Sequence, residues 1–73
     1  MLKNDYIELT DLNNGRVTVE IQTITAVFEK YFYSEKKGGK KVKECRAVEY
    51  NNQLLLVTDE YDDIISKLEY ALM

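Results

Sequence analysis

Gln53-Leu54-Leu55-Leu56-Val57-Thr58-Asp59-Glu60-Tyr61-Asp62-Asp63-Ile64-Ile65-Ser66-Lys67-Leu68-Glu69-Tyr70-Ala71-Leu72 sets two periodicities back to back. The first five residues are a short continuous apolar run bounded by polar signals, which predicts a strand over residues 53–58 covered on both faces. In the remainder, Tyr61, Ile64, Ile65, Leu68 and Leu72 recur at helical spacing, one apolar stripe of a helix predicted over residues 59–72. Thr58 or Asp59 is placed to cap it, and Asp59, Glu60, Asp62 and Asp63 crowd its start, where negative charge meets unpaired N–H groups and the positive end of the helix dipole. A helix with one apolar stripe must lay it on something, and the leucine ribbon just before it is the expected support.

Working back from that unit, Asn51-Asn52 is a two-residue turn signal, because asparagine tolerates the positive φ angles of tight hairpins. A strand over residues 42–50 precedes it, in which the apolar residues change face between Ala47 and Val48, so a bulge or burial on both sides is expected. Residues 34–41, SEKKGGKK, have no apolar side chain and read as the tip of a long hairpin. The run over residues 24–33 is apolar on both faces, with Ile24, Ala26, Phe28 and Phe32 against Val27, Tyr31 and Tyr33, and is expected to be a central strand. Residues 6–12 and 16–21 alternate apolar and polar around Asn13-Asn14-Gly15, a second hairpin. The sequence therefore predicts one α+β, mostly β domain over residues 1–73: about five strands in a twisted antiparallel meander or small open barrel, followed by one C-terminal helix.

Composition narrows the function. With 45% hydrophobic and 32% charged residues the chain is too apolar for disorder and too interrupted for a membrane span. It shows no basic and apolar leader and is expected to start at its native methionine and to work in the cytoplasm, away from membranes. Cys45 is the single cysteine, so no internal disulfide forms, and its apolar neighbours Ala47 and Val48 predict a small, half-buried strand residue. The sequence contains no histidine, which removes the commonest general base and zinc ligand and leaves the thiol without an activating partner. The acidic cluster at the helix start lacks the alternating ligand spacing and the glycine of a calcium loop. A non-enzyme is predicted, with no catalytic residues, no metal site and no cofactor.

Charge is segregated: residues 30–46 carry seven of the ten basic residues against Glu35 and Glu44, a local +5, while the flanking segments carry −3 and −5. Lys36, Lys37, Lys40, Lys41 and Lys43 beside Tyr31, Phe32 and Tyr33 form a basic finger with aromatics, suited to gripping an acidic protein patch or nucleic acid, or else simply a solvated loop. An isoelectric point near 4.9 opposes duplex DNA. Six tyrosines in so short a chain favour a protein surface, and Tyr33, at the base of the finger, and Tyr70, off the helix stripe, are expected to be exposed. The candidate partner-binding residues are thus Tyr31, Tyr33, Lys36, Lys37, Lys40, Lys41, Lys43 and Tyr70. The leading expectation is a partner protein; a nucleic-acid-binding regulator and a homodimer or larger structural homo-oligomer, covering exposed sheet edges, are the alternatives.

The order Ile7-Glu8-Leu9-Thr10, Leu12-Asn13-Asn14-Gly15, Val17, Val19, Ile21, Ile24, Val27, then Tyr50-Asn51-Asn52 and Val57-Thr58-Asp59-Glu60-Tyr61 with Ile64 resembles the small flagellar and swarming motility proteins, the FlbD-like family. The resemblance spans nearly the whole chain and implies the strand, turn and closing-helix plan. It departs from the family in its long lysine-rich hairpin and in Asn51-Asn52 where Asn-Gly is usual. What it implies is therefore a fold, with no active site to carry over, and a small bacterial, phage or mobile-element accessory protein.

Overall fold

The computed structural model of the chain describes residues 6–34 and 41–72, the Leu72 side chain excepted. Five strands and a helix follow in order: β1 (Tyr6–Thr10), β2 (Arg16–Glu20), a 3₁₀ turn (Ile21–Thr23), β3 (Ile24–Ser34), β4 (Val42–Tyr50), β5 (Gln53–Val57) and α1 (Tyr61–Leu72). The strands form two antiparallel sheets, a β1–β2 ribbon and a three-stranded sheet in the order β3-β4-β5, and they do not close into a barrel. The mostly-β plan with a C-terminal helix is thus the architecture of the chain.

Asparagine makes the turns. Asn51 and Asn52 sit at φ 51° and 61°, the left-handed pair that a two-residue hairpin needs to match the twist of its strands, and Tyr50 and Gln53 pair across them. The β1–β2 turn holds Asn14 at φ 64° and is organised by Asp11, whose Oδ1 accepts from the backbone N–H groups of both Asn13 and Gly15 at 2.8 Å. That carboxylate also explains the glycine, since a Cβ at residue 15 would lie 3.0 Å from Asp11 Oδ2.

β3 is an outer strand of its sheet, not the expected central one. The 3₁₀ turn after β2 swings the chain out of the ribbon, so β3 pairs with β4 alone, and β4, joined to both β3 and β5, takes the middle. The expected face change in β4 is burial on both sides, with Cys45 and Ala47 on one face and Val48 on the other. The bulges belong to β3: Thr25 is one residue extra between Ile24 and Ala26, and Glu29 and Lys30 stand against Arg46 between Phe28 and Tyr31, while β4 and β5 stay in register from Arg46–Val57 to Tyr50–Gln53. Each bulge resets the alternation, so Ile24, Val27 and Phe32 share one face and Ala26, Phe28, Tyr31 and Tyr33 the other, a grouping simple period-two counting misses.

The core lies between the two sheets and the helix. Leu9 and Val19 from the ribbon, Val48 and Val57 from the sheet and Ile64 from α1 are fully buried, with Ile7 beside them. The helix lies chiefly on β1, with further contact to β3, and not over the leucine ribbon as the sequence suggested. Only the inward residues of β5, Leu55 and Val57, join this core; Leu54 is exposed and Leu56 half-buried, because they point to the opposite side of the sheet from α1. On the helix, Ile64 is buried and Tyr61, Ile65 and Leu68 half-buried as their spacing predicts; Ala71 is buried too. The Leu72 side chain lies outside the described residues.

α1 begins at Tyr61, two residues later than predicted, because Asp59 is used elsewhere. Its Oδ1 accepts from the Thr10 backbone N–H at 2.6 Å, and its Oδ2 lies 3.4 Å from Lys67 Nζ. Around it, the Thr58 N–H donates to the Thr10 carbonyl at 2.9 Å, Asp11 bridges Val57, and Arg46 donates from Nε to the Asp59 carbonyl at 2.9 Å and from Nη2 to the Thr58 carbonyl at 2.7 Å. These bonds join the ribbon, the sheet and the helix at one corner. Only Asp62 and Asp63 remain in the first turn of the helix, where the dipole favours them. Asp59→Ala would strand the Thr10 N–H in a nearly closed site and should cost about 1–3 kcal/mol of unfolding free energy in urea denaturation. Glu60→Ala, whose carboxylate is exposed and 3.8 Å from Arg46, should change stability by less than about 0.5 kcal/mol.

Candidate functional site

The bulges and the position of α1 leave one side of the three-stranded sheet outward. Directly opposed residues on neighbouring strands share a face, so this outer surface consists of Ala26, Phe28, Tyr31 and Tyr33 from β3, Lys43, Cys45, Ala47 and Glu49 from β4, and Leu54 and Leu56 from β5. Val48, on the other face, is in the core cluster with Leu9, Ile7, Val19 and Ile64, so the ribbon and helix occupy the inner side. Cys45 and Ala47 form the floor of a shallow trough, 4% and 0% exposed, between an aromatic wall and a leucine wall. Phe28 and Leu54 stand at 39% and 42% exposed, and the Phe28 and Tyr31 rings meet tilted, their centroids 6.4 Å apart and their planes at 55°.

Tyr31, Tyr33 and Lys43 are therefore brought together, with Tyr33 directly opposite Lys43. Both tyrosines are half-buried, so Tyr33, in the strand where the sequence put it, is less open than expected. Lys41, just before β4, is exposed. Lys36, Lys37 and Lys40 lie outside the described residues. Tyr70 is exposed, as its place off the stripe predicted, but it belongs elsewhere: it lines a groove of about 240 Å³ between α1 and β1 with Tyr6, Ile7, Glu8, Lys67 and Ala71. The predicted constellation thus divides in two.

Sequence reading passed over Phe28 and Leu54 as site residues, because each looked like ordinary strand core; only the pairing register shows them facing out. Phe32 and Val42 are likewise open, at 61% and 64%, on the inner side of the β3–β4 hairpin where it outruns the helix. A second hollow, about 230 Å³, lies there between Glu29, Lys30, Glu44, Arg46, Glu60, Tyr61 and Asp62. The bulge at Glu29-Lys30 sets two residues against Arg46 and turns both toward this hollow. Its charges are mixed, and among the described residues no group of three or more His, Cys, Asp or Glu converges to hold a metal ion. Among the same residues no helix is long and apolar enough to cross a membrane.

Comparison of the chain with family models, with curated proteins and with solved structures finds no match.

Cys45 is buried, not half-buried, since Phe28, Tyr31 and Leu56 flank its row of the sheet. Burial pushes its thiol pKa up, the neighbouring Arg46 pulls it down and Glu44 pushes it up again. A raised pKa means less thiolate at a given pH, and the thiolate is the reactive form. At pH 8 the folded chain should react with an aromatic disulfide reagent at least about a hundredfold more slowly than the same chain in urea, followed by thiolate release.

Proposed function

We propose that this chain is a small non-catalytic protein that works by binding another protein through the outer face of its three-stranded sheet and the lysines at the end of the β3–β4 hairpin. The observation that carries the reading is the uncovered apolar face itself: Phe28, Tyr31, Tyr33, Leu54 and Leu56 around a floor of Cys45 and Ala47. Small soluble domains rarely leave such a surface open unless something docks on it, and aromatic residues on rigid strands are good anchors because little freedom is lost on binding. Lys41 and Lys43 stand at one end of the face, which favours a partner with an apolar centre and an acidic rim. The lack of histidine and the mixed charges of the second hollow favour binding over chemistry. The motif order supports kinship with the FlbD-like flagellar and swarming motility proteins and a place in the cytoplasm of a bacterium or in the service of a phage.

The chain immobilised at physiological salt should retain a protein from a lysate of bacteria that also express the free chain, and Phe28→Glu with Leu54→Glu should abolish retention while far-UV circular dichroism stays unchanged. Retention indifferent to these changes would remove the face from the reading. Retention of RNA or DNA that falls steeply between about 50 and 200 mM salt, with no protein retained, would instead favour a nucleic-acid regulator acting through the lysines.

A further inference from the structure

The outer row of β4 runs Lys43, Cys45, Ala47, Glu49, with a cation at one end, a carboxylate at the other and two small residues between. The two charges are six residues apart, roughly 20 Å along an extended strand, too far to meet within one chain. The row is antisymmetric about the level of Arg46, the residue against which the Glu29-Lys30 bulge sits. The flanking row of β3 is centred on the same level, with an aromatic ring on each side of it and a large residue at one end against a small one at the other: Tyr33 stands level with Lys43, Tyr31 with Cys45, Phe28 with Ala47 and Ala26 with Glu49.

From this pattern we infer that the partner seated on the outer face is a second copy of the chain, packed sheet on sheet about a two-fold axis that lies across the strands at the level of Arg46. The inference rests on the protein-binding reading above and names the partner. In that arrangement each strand lies antiparallel over its own counterpart, within the roughly 30° that twisted sheets allow. Lys43 of one copy comes over Glu49 of the other, and Glu49 over Lys43, so both charged ends are matched twice. Tyr33 lies over Ala26, large against small, and Tyr31 over Phe28. Cys45 and Ala47 form the buried floor at the centre, and the Phe28, Tyr31 and Leu56 side chains that flank them make the contact above it, with the sheets about 10 Å apart.

The surface is built for this. Glu49 Oε1 accepts from Thr25 Oγ1 at 2.7 Å, which holds the carboxylate at the rim, and the Phe28–Tyr31 contact fixes the aromatic wall before any partner arrives. A second copy also brings an acidic group to the lysine end, because Glu49 is the carboxylate on the same face. An isologous dimer closes on itself, so the apolar face is consumed without further growth.

The test is sedimentation velocity of the full chain from about 10 to 300 μM at physiological salt, with charge-swapped variants. The wild type should sediment as two chains. Lys43→Glu and Glu49→Lys should each weaken self-association about tenfold, because each places like charges together at both ends of the interface. The double variant K43E/E49K should recover wild-type strength, a rescue that only pairing between copies produces. Phe28→Glu with Leu54→Glu should give one chain at every concentration with unchanged circular dichroism. A wild type that stays a single chain throughout, or a dimer indifferent to these changes, or a double variant no stronger than the singles, overturns the inference. If the wild type is a single chain yet lysate capture still depends on Phe28, the inference fails and the protein-binding reading stands; if neither depends on Phe28, both fail.

Discussion

The fold depends on a corner where Asp59 takes the Thr10 amide. The two sheets share no continuous ladder, and among the described residues they are joined by the Asp11–Val57 bridge, to which the Thr58 to Thr10 bond belongs, and by that carboxylate. In an antiparallel pair, every second residue turns its N–H and carbonyl away from its partner strand. Thr10 and Glu8 are such residues on β1, and each finds a substitute for a neighbouring strand: Thr10 in Asp59 and Thr58, Glu8 in the Lys67 ammonium, which reaches its carbonyl at 2.7 Å. Arg46 then ties the carbonyls of Thr58 and Asp59 to the middle of β4. Backbone groups left without a partner strand are satisfied, and the helix is aimed across β1 as a result.

Aiming the helix there has a consequence on the far side. Because α1 and the ribbon both seal the inner face at Val48 and Val57, nothing of the described chain is left to seal the outer one. The bulges in β3 decide what that outer face contains. Without the two-against-one step between Phe28 and Tyr31, Tyr31 and Tyr33 would fall on the side opposite Phe28, and the aromatic wall would not exist. The same bulge kinks an outer strand, which discourages edge pairing with another chain and leaves the face as the stronger docking surface.

Part of the site was visible in the residues alone. Tyr31, Tyr33, Lys41 and Lys43 stand out because a run of aromatics adjoins a lysine-rich, charge-segregated hairpin, and Tyr70 because it leaves the apolar stripe of its helix. Phe28, Leu54 and Glu49 do not stand out, since a large apolar residue in a strand reads as core until its register is known. Thr58 and Asp59 both read as candidate helix caps because a short polar residue before an apolar stripe has the local signature of one, yet the Asp59 carboxylate is spent on Thr10. Its actual partner, Thr10, is forty-nine residues away, and no local rule reports a bond of that separation.

The sequence by itself determined the elements and their turns: period-two runs against Asn14, Asn51 and Asn52, and a 3.6-period stripe after Val57, are local properties of backbone sterics and side-chain spacing. The tertiary structure decided which strand is central, which face each residue takes and where the helix lies. Those depend on pairing register, where one extra residue in β3 reverses every side chain beyond it, and on long-range hydrogen bonds at the Thr10–Asp59 corner, whose partners meet only once both sheets have formed.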